Sequence, residues 1–256
     1  MPKIVAIYVR LLKEIYIFDM KIIIDKLSVF LPAFNEEENI KKTTLNVKNV
    51  LKEISESWEI IVVDDGSTDN TSELVKDLSK KDKRIRLVRH SKNKGYGGAL
   101  KTGFKSAKYP WVVFLDSDGQ FDFSEVKKFI EKSKGVDLVL GYRLKRSDSL
   151  SRKLFTWGWN LFPKIILGLK ARDYSCGFKM IRKKVFDDIQ PLVGEEKVTQ
   201  IEMLVKAQRK GYKFAEVGVS HYPRMGGKAT GANIKVVIKS MRDLLSLWKK
   251  LRKNDK

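Results

Sequence analysis

The chain has 256 residues, 43% of them hydrophobic, enough to bury a sizeable core and too apolar for a disordered polymer. Its single cysteine, Cys176, excludes an internal disulfide framework and an all-cysteine metal site. The net charge of +21 is uneven: residues 1–142 carry 25 Lys and Arg against 21 Asp and Glu, and residues 143–256 carry 27 against 10. A basic half of this kind suits a polyanionic partner, nucleic acid or an anionic membrane, although lysine blocks also arise as plain solvated faces.

From Ile4 to Ile24 the chain is apolar but interrupted by Arg10, Lys13, Glu14, Asp19 and Lys21. That pattern predicts an amphipathic N-terminal segment over 1–26, and neither a spanning helix nor a signal peptide. Leu27 to Leu31 predicts a strand stopped by Pro32. Asn35 is placed to cap the next helix, with Glu36, Glu37 and Glu38 in its first turn and Ile40, Thr44, Val47, Leu51 and Ile54 at helical spacing. Glu59 to Val63 predicts a second strand, ending at Asp64-Asp65-Gly66-Ser67, and Thr68 or Asp69 starts another helix. Ile85 to Val88 is a third strand, Gly95 to Lys108 a loop and helix, and Trp111 to Leu115 a fourth strand. Ser124 to Ser133 predicts a helix and Asp137 to Leu140 a fifth strand. Strands alternating with helices predict an α/β fold: a mostly parallel central sheet flanked by helices. Ligands bind such sheets beyond the carboxyl ends of the strands, where Asn35, Asp65, Asp116 and Arg143 all fall.

Beyond Arg143 the pattern changes. Leu154 to Leu169 is aromatic and apolar, with Phe155, Trp157, Trp159 and Phe162, and is flanked by Arg146, Arg152, Lys153, Lys170 and Arg172. Such a helix lies in a membrane interface or packs in a core with charged ends. Ile234, Val237, Ile238, Met241, Leu244, Leu245 and Trp248 form one stripe, with Lys235, Lys239, Arg242, Lys249 and Lys250 mainly outside it. The stripe predicts a basic amphipathic helix over 232–256, packed on the protein or lying on lipid.

Asp116-Ser117-Asp118-Gly119-Gln120 follows the apolar fourth strand directly. Two carboxylates one residue apart at a strand end can converge on a hard cation, with Gln120 adding a neutral oxygen, as suits Mg²⁺ or Mn²⁺ shared with a nucleotide diphosphate. The same residue types also make polar turns. The order of the other segments decides between these readings. Leu31-Pro32-Ala33-Phe34-Asn35-Glu36, Val63-Asp64-Asp65-Gly66-Ser67-Thr68-Asp69, Asn93-Lys94-Gly95-Tyr96-Gly97-Gly98-Ala99, the Asp116–Gln120 segment and Gly141-Tyr142-Arg143 occur in succession.

Together, over about Leu27 to Gly231, these segments resemble the family 2 glycosyltransferases of GT-A (nucleotide-diphospho-sugar transferase) fold. Within them they are most similar to the polyprenyl-phosphate sugar transferases typified by dolichyl-phosphate mannose synthase. The resemblance implies an inverting, metal-dependent transfer from a nucleotide-sugar of GDP-mannose or UDP-glucose type to a polyprenyl or dolichyl phosphate. It implies Mg²⁺ or Mn²⁺ held by Asp116, Asp118 and Gln120. Pro32, Ala33, Asn35 and Glu36 would floor the nucleotide pocket, with Asp64 or, preferably, Asp65 receiving the base or ribose. Gly95, Arg224 and Lys228 would face the donor, the last two from a segment resembling the family's late Arg-x-x-Gly loop. Asp118 and Arg143 would act in catalysis, Arg143 on the acceptor phosphate. Asp173-Tyr174-Ser175-Cys176-Gly177-Phe178-Lys179 would shape the sugar pocket, with Cys176 a packed residue; His90 and His221 are expected to be structural.

The chain departs from its relatives in two places. Phe121-Asp122 stands where they often have His-Pro, and Gln200 where many carry an acid, which leaves Glu202 as the nearby candidate base. A base matters for a hydroxyl acceptor and less for a phosphate, which is already ionised. The expected partners are the nucleotide-sugar, the polyprenyl phosphate and an anionic membrane surface at the cytoplasmic face, with peripheral attachment and no nucleic acid. The alternatives are a sugar-hydroxyl acceptor on the same fold, or a basic nucleic-acid-binding module, which would leave the ordered acidic motifs unexplained.

Overall fold

The computed structural model describes residues 24–144, 163–196, 198–224 and 234–253, the last with side chains from 242 to 252. The N-terminal segment, the aromatic stretch up to Phe162 with Arg146, Arg152 and Lys153, and Met225 to Asn233, which includes Lys228, lie outside the described residues.

In chain order the elements are β1 (Ile24–Ala33), α1 (Ile40–Ile54), β2 (Ser55–Asp64), α2 (Thr71–Lys81), β3 (Ile85–Arg89), α3 (Gly95–Ser106) and β4 (Trp111–Leu115). A 3-10 turn at Phe123–Glu125 leads into α4 (Val126–Lys132), then β5 (Leu138–Arg143), β6 (Phe178–Arg182), α5 (Lys183–Asp188), α6 (Val198–Arg209), β7 (Phe214–Val219) and α7 (Ile234–Lys253). All seven strands form one sheet in the order β3-β2-β1-β4-β6-β5-β7. The pairings are parallel except those of β6, which runs antiparallel to both β4 and β5. The mostly parallel α/β expectation holds, and the five expected strands are all present.

The sheet is covered on both faces, which is why its central strands β1, β2 and β4 are largely apolar and buried. On one face Phe30, Ile61, Val63 and Phe114 pack with Leu100 and Phe104 of α3, Ile201 and Leu204 of α6, and Leu244, Leu247 and Leu251 of α7. On the other, Val29, Leu31, Ile60, Val62 and Val113 pack with α1, α2 and α4. The described end of α7 is therefore part of the core. Of its predicted stripe, Leu244 is buried but Leu245 is 42% exposed, and Leu247 takes the inward position. Among the described residues, no helix is long and apolar enough to cross a membrane.

Several boundaries move for identifiable reasons. β1 runs past Pro32 to Ala33 along β2, after its pairing with β4 has ended at Phe30↔Phe114. α1 starts at Ile40, because Asn35 adopts a left-handed backbone (φ 54°) and bridges two loops instead of capping. Its N–H donates to Ser67 Oγ at 2.9 Å, and its Oδ1 accepts from the Thr68 N–H at 2.8 Å. Asp69 likewise sits just ahead of α2, accepting from the Thr71 N–H at 3.0 Å. β5 extends to Arg143 because β7 pairs with it along its whole length.

The chain leaves β1 for β2 and β3 on one side, then returns to lay β4 on the other. The crevice beyond the carboxyl ends of β1 and β4 is thus the switch point where ligands bind open α/β sheets. β6 runs the opposite way, so its entry, residues 173–177, arrives at that same edge.

Candidate active site

Asp116 follows β4, and its N–H donates to the Gly177 carbonyl at 3.0 Å, continuing the β4–β6 ladder by one residue. Ser117 turns inward, donating from Oγ to the Pro32 carbonyl at 2.8 Å, while its own carbonyl accepts from Thr43 Oγ1 at 3.1 Å. These two bonds fix the Asp116–Gln120 loop against β1 and α1. Phe121 then packs edge-on to Phe178 at 6.0 Å, and Asp122 caps the 3-10 turn through the Ser124 N–H at 2.9 Å. Phe121-Asp122 thus supplies a core side chain and a cap.

The carboxylates of Asp116 and Asp118 share this edge. Burial, then repulsion from Asp118, pushes the Asp116 carboxyl up to about 7, and the Tyr96 hydroxyl bond, Lys179 and Arg143 pull the other way. Two mutually repelling carboxylates are what a hard divalent cation relieves, so their chemistry fits the expected metal. Among the described residues no group of three or more His, Cys, Asp and Glu side chains forms a metal cage. Such sparse ligation suits a cation completed by substrate phosphates. Gln120 is partly committed. Its Nε2 donates to the Tyr222 carbonyl at 2.9 Å and its backbone carbonyl accepts from the Tyr222 N–H at 2.9 Å, so the side-chain amide oxygen is the atom it could offer a cation.

The Gln120–Tyr222 bonds draw the segment after β7 across the loop and bring Arg224 into the site. Arg224 pairs with Glu36 Oε1 at 2.5 Å and lies 3.7 Å from Asp118 Oδ2. Glu36 also accepts from Asn39 Nδ2 at 2.9 Å, and burial raises its carboxyl above the ordinary range despite these partners. Glu36, Asp118 and Arg224, drawn from three separate segments, meet here. Pro32 and Ala33 end β1 beside the crevice, the Ala33 carbonyl accepting from the Asp65 N–H at 2.8 Å.

The Asp64-Asp65 pair divides its work. Asp64 was expected among the donor-binding residues, but it is fully buried. Its Oδ1 accepts from the Ser67 N–H at 2.8 Å, and its Oδ2 accepts from the Ser72 hydroxyl. It builds the turn and does not face the crevice. Asp65 Oδ1 takes the His90 ring at 2.5 Å and the Lys94 N–H at 2.9 Å. His90 also contacts Thr102 Oγ1 at 2.9 Å and is buried. Gly95 opens α3 beside Glu196, whose carboxylate accepts from the Tyr96 N–H at 3.3 Å.

One further expectation needs correction. Glu202, the candidate base, is fully buried in α6. Its Oε2 accepts from the Val193 and Gly194 N–H groups at 2.9 and 2.6 Å, and its Oε1 pairs with Lys206 at 2.7 Å. That carboxylate holds a loop. Arg143 ends β5 and points its fork at Asp173, with Nε to Oδ2 at 2.7 Å and NH2 to Oδ1 at 2.9 Å, and donates to Ser175 Oγ at 2.9 Å. The guanidinium is therefore oriented by protein and not held out in solvent.

Sequence reasoning gave Tyr96 no role of its own, noted Gln200 only as a departure and placed Lys179 only in the segment shaping the sugar pocket, yet all three lie behind Asp116. The Tyr96 hydroxyl donates to Asp116 Oδ1 at 2.8 Å, and Gln200 Nε2 donates to the Tyr96 oxygen at 3.2 Å. Lys179, wholly buried, donates to Gln200 Oε1 and the Cys176 carbonyl, and burial brings its ammonium down to about 8. A lysine inside the apolar strand Phe178–Arg182 was the available signal. Tyr96 reaches Asp116 because α3 packs closely on the start of α6, where a Cβ on Gly97 would strike Thr199. Burial pushes the Cys176 thiol up to about 12, consistent with a packed residue and not a nucleophile.

The family description "Glycosyl transferase family 2" matches residues 28–190. The undecaprenyl-phosphate 4-deoxy-4-formamido-L-arabinose transferase of Pectobacterium carotovorum subsp. carotovorum is 32% identical over 225 residues, covering 87% of this chain and 67% of that protein. The dolichyl-phosphate beta-glucosyltransferase of Saccharomyces cerevisiae is 30% identical over 262 residues, covering 89% of this chain and 78% of the other. Among solved structures, glucosyl-3-phosphoglycerate synthase from Mycobacterium tuberculosis, in complex with Mn²⁺, UDP-glucose and phosphoglyceric acid, superposes with a TM-score of 0.66. It is 19% identical, with 88% of this chain and 80% of that one covered. At that identity the superposition speaks for the fold.

Proposed function

The chain belongs to glycosyl transferase family 2 and is a glycosyltransferase, and from that premise we propose that it moves a sugar from a nucleotide-sugar to a polyprenyl phosphate, with inversion and with a divalent cation. The observation that carries the metal part is the pair of mutually repelling carboxylates of Asp116 and Asp118 at the switch point between β1 and β4. The acceptor class is supported by the names of the relatives, one acting on undecaprenyl phosphate and one on dolichyl phosphate. Mn²⁺ and UDP-glucose occur with the M. tuberculosis neighbour.

In this reading Asp116, Asp118 and the Gln120 amide oxygen hold the cation. When bound, it supplies Lewis-acid neutralisation of the departing nucleoside diphosphate. The chain's own residues do the rest. The β1 floor and Asp65 receive the nucleoside. Arg224, already between Glu36 and Asp118, adds positive charge where the diphosphate leaves. Arg143, oriented by Asp173 and Ser175, presents its guanidinium to the acceptor phosphate, which attacks the anomeric carbon in line. Catalysis is then mainly positioning and electrostatics.

The commitment of Glu202 to backbone and Lys206 favours a phosphate over a sugar hydroxyl as acceptor. A phosphate monoester, with a second pKa of about 6, needs no base at neutral pH. We place the enzyme at the cytoplasmic face, held there by its basic half against anionic lipid.

The test is a screen of nucleotide-sugars with polyprenyl phosphate present or absent, in Mg²⁺, Mn²⁺ or chelator. Transfer only with the lipid phosphate and a divalent cation is the expected result. Transfer to a saccharide in its absence would move the acceptor assignment to a hydroxyl, and turnover in excess chelator would remove the metal.

A further inference from the structure

Behind Asp116 runs a file of three side chains from three elements: Tyr96 of α3, Gln200 of α6 and Lys179 of β6. Lys179 donates to Gln200 Oε1, Gln200 Nε2 donates to the Tyr96 oxygen at 3.2 Å, and the Tyr96 hydroxyl donates to Asp116 Oδ1 at 2.8 Å. Lys179 and Gln200 are buried, and Lys179 also donates to the Cys176 carbonyl. This file has a fixed sense. An ammonium only donates, so it draws the amide oxygen of Gln200 toward itself and turns the NH2 toward Tyr96. That NH2 also only donates, so the Tyr96 oxygen accepts from it and keeps its single hydrogen for Asp116.

On the other side, Gly177 brings bare backbone against the same carboxylate, where any Cβ would collide with it. The Asp116 carboxylate is thus held between a donor of imposed direction and a wall without a side chain. We infer that Tyr96, Gln200 and Lys179 are positioning residues that orient Asp116 as a ligand for the divalent cation, with Gln200 setting the direction of the file. The inference rests on the proposed metal role of Asp116 and Asp118. Outer hydrogen bonds to metal-ligating carboxylates fix their orientation, and losing one typically costs about 10–100-fold in metal affinity.

Gln200→Glu is the informative change because it keeps the shape and reverses the direction. The new carboxylate still pairs with Lys179, but it only accepts. The Tyr96 hydrogen then turns to it and away from Asp116. Tyr96→Phe removes the same donor at its end. Mn²⁺ binding in the presence of UDP is measured on the full-length protein from the paramagnetic resonance of free Mn²⁺, with the thermal midpoint followed alongside.

Tyr96→Phe and Gln200→Glu are each expected to weaken Mn²⁺ binding by about 10–100-fold. The double variant should be no weaker than Tyr96→Phe alone, because Gln200 acts through Tyr96. A packing role alone would shift the midpoint and leave Mn²⁺ affinity intact. Should Gln200→Glu not fold, Tyr96→Phe alone carries the test, because it removes the donor to Asp116 directly. Asp118→Asn separates the two levels of the reading. If it abolishes Mn²⁺ binding while Tyr96→Phe binds as wild type, or if the two losses add, the positioning file is overturned. If Asp118→Asn itself binds Mn²⁺ as wild type, the metal reading fails and takes the inference with it.

Discussion

Gly177 and Asp116 are locked to each other: the Gly177 carbonyl accepts from the Asp116 N–H at 3.0 Å, and the Asp116 carboxylate fills the space that a side chain at 177 would need. This close approach explains a glycine at the entry of β6 on packing grounds. It predicts that Gly177→Ala displaces the Asp116 carboxylate while leaving most of the sheet untouched. A misplacement of about 1 Å at a reacting site costs about 100-fold in turnover. The expected outcome is a loss of that order in kcat, with a thermal midpoint only a few degrees lower. An alanine variant with wild-type kcat would show that Asp116 does not need its observed position.

The Arg143–Asp173 pair makes a second prediction. A lysine at 143 keeps the charge but loses the planar fork that meets both Asp173 oxygens. Arg143→Lys is expected to raise KM for polyprenyl phosphate about tenfold, in line with the loss of one charge-assisted hydrogen bond. KM for the nucleotide-sugar should barely move. Steady-state kinetics with each substrate varied in turn decides it, and a change confined to the nucleotide-sugar would place Arg143 on the donor side.

The five strands legible in the sequence carry apolar runs such as Trp111–Leu115; four lie inside the sheet, and β3, at its edge and only partly buried, keeps Ile85, Leu87 and Val88 around Arg86. β6 and β7 were not legible, for separate reasons. β6 carries Lys179 in its interior, whose amine is satisfied only by groups distant in sequence or by a backbone carbonyl. β7 is an edge strand, only partly buried, whose short pattern of Val217 and Val219 alternating with Glu216 and Gly218 gives a weak signal. The acidic loops were legible because strand ends and carboxylates are local features. What each carboxylate does was not. Asp64 and Asp65 are adjacent, yet only three-dimensional partners show Asp64 inside the turn, and Glu202 looked like a base until its backbone partners were seen.

The C-terminal helix gives a third prediction. Its stripe has the period of a helix that buries one face, but the sequence does not say against what. Leu244, Leu247 and Leu251 share the core cluster with Ile201 and Leu204 of α6. Leu247→Ala should therefore destabilise the protein by about 2–5 kcal/mol, the range for truncating a buried leucine. Denaturant unfolding measures it. An unchanged midpoint would mean that this end of the helix contributes nothing to the core and is free for another surface.

The buried lysine makes the last prediction, one of pH. Burial lowers Lys179 from its ordinary value to about 8, although Cys176, Asp173 and Asp116 pull it upward. In the unfolded chain the group titrates near 10.4. Between those values the unfolded state binds the proton and the folded state releases it, so this residue adds stability as pH rises through that window. Below about pH 8 both states are protonated, and the cost of burying the charge is present in full. Lys179→Met removes the titration. The stability of wild type relative to Lys179→Met should therefore be flat from pH 6 to about 7.5 and then improve in favour of wild type up to about pH 10, by on the order of a few kcal/mol. Urea unfolding of both proteins across that range reads the difference directly. A difference that does not change with pH would mean that Lys179 keeps its proton throughout, held by Gln200 and the Cys176 carbonyl more strongly than burial expels it.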